Sequence, residues 1–271
     1  MPIVELNGMP LSYQVTGSGE LVVLVMGTGS PGRVWQLHQV PALVAGGYRA
    51  VTFDNRGMPP AEVQAAGMTI DDMVADTAAL IEHLGGGPAR VVGTSLGARV
   101  VQELALARPD LLSQGVMMAA HGRPDPVQSM LSAGERALHD AGIELPATYY
   151  AAVTALQNLS PRTLHDPSVV QDWLDVFEFS GSQISAGVRA QLELAQFPDR
   201  LADYARITVP SLVICFGDDL MIPPYLSREV AEAIPGARYE QVEGCGHFGY
   251  LERPEAVNEL ILKFFATPVS A

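Results

Sequence analysis

The sequence predicts an α/β fold: a mostly parallel sheet with helices on both faces and an inserted helical cap. Three observations carry that prediction. Strand-like and helix-like segments alternate over residues 1–120 and again over 201–271. Helix-like segments alone fill 121–200. The strand-like runs are largely continuous in apolar residues, as strands covered on both faces are. Residues 1–120 and 201–271 are therefore read as one core, and 121–200 as a cap inserted between two of its strands.

The elements follow in order. Residues 3–7 and 10–15 read as an antiparallel hairpin turning at Asn7-Gly8. Leu21–Val25 is an unbroken apolar strand, 34–45 a weak helical pattern interrupted by Pro41, and Tyr48–Phe53 a second strand. Ile70–Leu84 reads as a helix, with Asp71 and Asp72 favouring its N-terminus and Gly85-Gly86-Gly87 ending it. Ala89–Val92 is a strand, Ser95–Ala107 a helix closed by Pro109, and Leu112–Ala119 a strand again. After turn-rich His121–Pro126 come helical stretches near 127–139, 147–158, 168–179 and 184–196, separated by Pro and Gly. The rhythm resumes with strand 209–216, helix 225–234, strand 238–242 and helix 254–266.

Composition narrows the function. The chain has 271 residues, 48% hydrophobic, and a net charge of −14. Nucleic acid and anionic membrane surfaces both need clustered Lys and Arg, so both are disfavoured as partners. The N-terminus shows no basic segment followed by an apolar one, and no apolar run reaches membrane-spanning length. The two cysteines, Cys215 and Cys245, sit in no metal-ligand or redox spacing. A cytoplasmic protein without metal or cofactor is the expectation, acting on a small molecule; oligomeric state is not legible here.

Val91–Ala98 holds the chemistry. Gly93-Thr-Ser95-Leu-Gly97 joins a strand directly to a helix, a turn that strains the serine backbone and lifts its hydroxyl clear of the sheet. With 15 serines and 26 glycines in 271 residues, chance produces the pattern about 0.14 times. Its context therefore decides, because a serine needs a base and an acid to become a nucleophile. The strand ending at Phe216 runs into Asp218-Asp219, and the strand ending at Val242 runs into a loop carrying His247 between glycines. All three groups fall past strand ends, the edge where such sheets place ligands. The chain order is serine, acid, histidine. Of the other histidines, His121 also follows a strand end and is a second candidate for the pocket.

Taken together, the chain resembles the α/β-hydrolase superfamily, in the capped group that includes non-haem bromoperoxidase-like esterases and enol-lactonases. The resemblance rests on Asp54-Asn55-Arg56-Gly57, Gly-Thr-Ser95-Leu-Gly, Asp219-Leu-Met-Ile-Pro223, Gly246-His247 and Glu252-Arg-Pro254-Glu255. It implies an α/β-hydrolase fold, selects Asp219 over Asp218 by its spacing to Pro223, and makes Ser95, His247 and Asp219 the catalytic triad. It also implies an oxyanion hole from the N–H groups of Thr28 and Leu96. Where the family usually has His-Gly, Met26-Gly27 stands here; Arg56-Gly57 runs into Met58-Pro59-Pro60 where Arg-Gly-His-Gly is common.

The implied activity is hydrolysis of a carboxylic ester, lactone or thioester through an acyl-enzyme, with peracid formation as a side reaction. Two alternatives stand beside it. One is acyl transfer or cyclisation on the same fold. The other is an NAD(P)-binding oxidoreductase, since Gly27-Thr-Gly29-Ser-Pro-Gly32 matches the dinucleotide fingerprint; Pro31 and Pro41 weigh against it. In the cap, Met130, Leu131, Tyr149, Tyr150, Leu156, Trp173, Phe177 and Phe179 are candidates for an apolar ceiling over a free acyl, lactone or carrier-bound substrate. Packing of cap on core explains the same helical spacing.

Overall fold

The computed structural model describes residues 2–61, 65, 67–181 and 184–267. Its sheet has eight strands: β1 (Ile3–Leu6), β2 (Met9–Thr16), β3 (Leu21–Val25), β4 (Arg49–Phe53), β5 (Ala89–Thr94), β6 (Leu112–Met118), β7 (Ser211–Phe216) and β8 (Arg238–Val242). Their order is β1-β2-β4-β3-β5-β6-β7-β8. β2 pairs antiparallel with both β1 and β4, and all pairs from β4 to β8 are parallel. Asn7 and Gly8 turn the hairpin at φ 48° and 75°, the positive values that a two-residue turn of right-handed twist demands.

Around the sheet lie α1 (Gln39–Ala45), α2 (Ile70–His83), α3 (Leu96–Ala107), α10 (Pro224–Ala233) and α12 (Pro254–Phe265). Alternation along each strand divides the core. Val23, Val25, Val51, Val91 and Met117 pack with α2 and α3 on one face. Val22, Leu24, Val92, Val116 and Ile214 pack with α1 and α12 on the other. This is the period-2 geometry of a strand applied to an unbroken apolar run. Thr69 caps α2, exchanging bonds with Asp72: its own N–H donates to the carboxylate at 2.7 Å and its Oγ1 accepts the Asp72 N–H at 3.3 Å.

Pro41 does not interrupt the segment in which the pattern placed it. A 3-10 turn spans Gly32–Leu37, the break comes at His38, and α1 starts at Gln39. Pro41 is thus the third residue of α1, where its missing N–H costs no intrahelical bond.

Between β6 and β7 the chain forms α4 (Pro126–Asp140), α5 (Ala147–Asn158), α6 (Pro161–Leu164), α7 (Pro167–Ser180), α8 (Ala186–Glu193) and α9 (Leu201–Tyr204). Asp125, Ser160, Asp166 and Ser185 cap α4, α6, α7 and α8 with their side chains. A proline opens α4, α6 and α7, where its fixed φ suits a first turn. Two short helices exceed the expected pattern here, α6 and α9. A third single turn, α11 (Gly249–Glu252), lies before α12. Each is too short to show periodicity. Helix α8 is also shorter than the predicted 184–196 stretch.

The topology positions the site. From β3 the chain moves to β4 on one side, then crosses back to β5 on the other. The carboxyl ends of β3 and β5 therefore flank a switch point, where such sheets open a crevice.

Candidate active site

Ser95 sits between β5 and α3 with φ 55° and ψ −118°, a conformation that L-residues avoid. Holding it costs on the order of 1–3 kcal/mol, so the surroundings must impose it. They do so by backbone contact. A Cβ on Gly93 would lie 2.2 Å from the Gly97 carbonyl oxygen, and one on Gly97 would lie 2.2 Å from that of Val25. A Cβ on Gly27 would stand 3.3 Å from the Ser95 Cβ. The Ser95 N–H donates to Met118 O at 2.9 Å, tying the turn to the end of β6. The result is a turn pressed against the loop that leaves β3.

Asp219 follows β7 and is buried. Its Oδ1 accepts the Met221 and Ile222 N–H groups at 2.8 and 2.9 Å. Its Oδ2 lies 2.8 Å from His247 Nδ1. With one oxygen held by two backbone donors, the other is aimed at the imidazole. Nδ1 then carries the proton and Nε2 keeps its lone pair. Neighbouring Asp218 is used differently: its N–H donates to Cys245 O at 3.0 Å.

The His247 loop is clamped by the helices that follow β6. Phe248 N–H donates to Asn158 O at 3.1 Å, and Gly246 passes so close that a Cβ would stand 2.6 Å from the same oxygen. Glu252 on α11 gathers the rest. Its Oε2 accepts the Gly246 N–H at 2.6 Å, and its Oε1 accepts the Ser160 N–H and Oγ–H at 3.0 and 2.8 Å. Ser160 is itself fully buried.

The loop after β3 is anchored from three sides. Asn55 Nδ2 donates to Met26 O at 2.7 Å. Gly32 N–H donates to Asp54 Oδ1, and Gly29 N–H to Gln191 Oε1 on α8, each at 2.8 Å. Gln191 also donates to Arg56 O at 2.7 Å. Two N–H groups of the dinucleotide-like pattern are thus engaged internally, and Asp54 is committed to the loop instead of a ribose. Among the described residues no acceptor takes the Thr28 N–H, and Leu96, as the first residue of α3, has none within its helix.

Ser95, His247 and Thr28 line one cavity of about 1750 Å³, while Asp219 lies behind the imidazole. Ser95 is partly exposed to it. Among the described residues, no hydrogen bond joins Ser95 Oγ to the imidazole in this conformation, as is common in unliganded sites. Met130, Leu131, Tyr149, Tyr150, Trp173 and Phe177 also line the cavity. Leu156 and Phe179 do not: they are 59% and 95% exposed. On α5 the buried stripe runs through Ala151 and Ala155, which turns Leu156 outward.

Two further side chains are removed from the chemistry. His121 does not line the cavity. It is buried against Phe197, at 5.2 Å between ring centroids, and the Arg99 guanidinium stacks on the same ring at 3.7 Å. Burial, then the Arg99 charge, push the His121 imidazole down to about 3, so it stays neutral. Cys245 is fully buried and its thiol is pushed up to about 12, chiefly by burial. That makes it a packed filler, not a thiolate.

Asn55, Gln191 and Glu252 hold the site without being legible as doing so. Asn55 and Glu252 stand within the quoted motifs, but Met26 lies 29 residues from Asn55, and Ser160 lies 92 from Glu252. Gln191 lies 162 residues from Gly29 and has no local signal at all.

The chain matches the model of the Alpha/beta hydrolase family over residues 22–260. It is 49% identical to a protein of Mycobacterium tuberculosis (strain ATCC 25618 / H37Rv) provisionally named non-heme bromoperoxidase BpoC, across 95% of this chain and 98% of that protein. The solved structure of Rv0554 from Mycobacterium tuberculosis superposes with a TM-score of 0.93 at 48% identity, covering 97% of this chain and 95% of that one. A relative from Azorhizobium caulinodans, provisionally named carbamate hydrolase RutD, is 27% identical over 97% of this chain and 98% of its own.

Two substitutions test the scaffold. Gly97→Ala must displace backbone to clear a 2.2 Å approach. It should cost about 3 kcal/mol or more, read as a lowered midpoint of thermal unfolding. Glu252→Ala strands a buried hydroxyl and two N–H groups and should cost about 2–4 kcal/mol, with Glu252→Gln recovering part of it. A wild-type midpoint in either alanine variant contradicts the packing described.

Proposed function

The chain belongs to the alpha/beta hydrolase family, and on that footing we propose that it is a serine hydrolase of carboxylic esters, lactones or thioesters. One observation carries the proposal. The strained serine at the strand–helix turn and an imidazole oriented by a buried carboxylate open onto one cavity.

In this reading His247 Nε2 takes the Ser95 proton as Oγ bonds to the substrate carbonyl carbon. Asp219 Oδ2 holds the imidazole and stabilises its charged form. The Thr28 and Leu96 N–H groups receive the developing oxyanion, and the positive end of α3 adds to their effect. Each such donor contributes roughly 3 kcal/mol to catalysis elsewhere. The imidazolium then returns its proton to the leaving oxygen or sulfur as the carbonyl–leaving-group bond breaks. Water, deprotonated by His247, attacks the acyl-enzyme, and the proton goes back to Ser95 as the acid departs. No step calls on a metal or cofactor.

Residues 121–200 act as a cap on the core of 1–120 and 201–271 and set the substrate. The cavity exceeds the roughly 300–1,000 Å³ usual for small-molecule sites. Its tyrosines, Trp173 and Phe177 suit an extended, mostly apolar acyl group, free or carrier-bound. The carbamate hydrolase name carried by one relative also describes acyl chemistry.

A fluorophosphonate probe should label the wild-type protein and leave Ser95→Ala unlabelled; equal labelling of both, or of neither, overturns the nucleophile. Asp219→Asn should cut ester turnover by at least about 100-fold, through the wrong imidazole tautomer. Asp218→Asn should stay within about threefold of wild type. The reverse ranking would assign the acid to Asp218.

A further inference from the structure

Helix α4 presents one stripe to the cavity, in which Leu131, Glu135 and Leu138 follow one another at successive turns. An apolar side chain is the expected occupant of the middle position, and a carboxylate stands there instead. Glu135 is half-buried. Among the described residues it makes no hydrogen bond or ion pair. The cations on α4 and α8 are engaged elsewhere: Arg136 donates to Ser132 O, while Arg189 pairs with Asp140 at 2.6 Å and with Glu193. Burial alone pushes the Glu135 carboxyl above its ordinary range.

A carboxylate partly withdrawn from water with no partner weakens the fold, and a leucine would serve better there. Conflicts of this kind between local pattern and local chemistry mark positions kept for function. The cavity wall already supplies apolar contact in quantity. Arg33, Gln128, Tyr149 and Tyr150 also line the cavity, yet among the described residues no donor reaches Glu135.

We infer that Glu135 receives a cationic nitrogen of the substrate. The substrate class is thereby narrowed to esters, lactones or thioesters whose apolar chain carries an ammonium group. This rests on Ser95 being the nucleophile of the same cavity. The pairing is a charge-assisted hydrogen bond in a partly dry site, which is stronger than one between neutral groups. A substrate ending in a carboxylate would instead face a like charge.

Two measurements test it. Straight-chain nitrophenyl esters are compared with their ω-amino analogues, in which the terminal methyl is replaced by an ammonium. Wild type should favour the amino ester about tenfold or more in kcat/KM. Glu135→Leu should lose that preference and Glu135→Gln should lose most of it, with thermal unfolding of the leucine variant at or above wild type. Separately, a straight-chain alkylamine and the matching alcohol are titrated calorimetrically into Ser95→Ala protein, with and without Glu135→Leu. The amine should bind about tenfold tighter, and only where Glu135 is present. A preference that survives Glu135→Leu, or a wild type that favours the methyl ester, overturns the inference. The binding arm separates the two readings. Amine binding that depends on Glu135 in a protein whose wild type resists the fluorophosphonate probe rejects the nucleophile and keeps this site. Labelling without amine preference rejects this site alone.

Discussion

The site depends on a contact between two stretches of backbone with no side chain between them. Gly97, in the first turn of α3, passes the carbonyl oxygen of Val25 at the end of β3, and Gly93 passes Gly97 in the same way. Adjacent parallel strands bring their carboxyl ends within reach, but a side chain on Gly97 would wedge the two loops apart and one on Gly93 would break the turn itself. With the wedge removed, the positive φ of Ser95 is imposed from both sides. Thr28 on one loop and Ser95 on the other then line one cavity, although 67 residues separate them in the chain. Proteins do not hold such strain without compensation. Here the compensation is the buried apolar run of β3 and the buried Val91 and Val92 of β5, which pair the two strands in register.

A second constraint is electrostatic. Asp219 is buried, and two backbone N–H groups satisfy one of its oxygens. The remaining oxygen has one partner, and that partner is thereby oriented. The loop bearing His247 is fixed independently by Glu252 and Asn158. Position and orientation of the imidazole thus come from different elements, each braced by its own set of hydrogen bonds. An imidazole held in this way needs little reorganisation if charge develops on it.

The helices between β6 and β7 are joined to the strand-end loops at both sides of the crevice. Gln191 reaches the loop after β3, while Asn158 and Ser160 meet the loop after β8. Their remaining inward faces surround the cavity. These ties run through polar groups, whereas the core is joined by apolar area. The inward helical faces can therefore change without moving the groups that hold Ser95 and His247.

Much of this was legible in the residues, for local reasons. Asn7-Gly8 marks a turn because few pairs accept positive φ twice, and Leu21–Val25 marks a strand because nothing in it interrupts burial. Gly93-Thr-Ser95-Leu-Gly97 carries its own steric requirement. Pro41 was misleading because proline is harmless in a first turn and disruptive later, and only the position of His38 shows where the turn begins. Leu156 and Phe179 turned outward because helical phase is set by what the opposite face packs against. Sequence by itself determined the alternating architecture, the strained serine and the strand-end placement of its partners, because each follows from short-range sterics and periodicity. Only the tertiary structure decided that Glu252 and Gln191 brace the two loops, and that Glu135 faces the cavity without a partner. Those outcomes depend on contacts between residues tens to hundreds of positions apart, for which no local pattern exists.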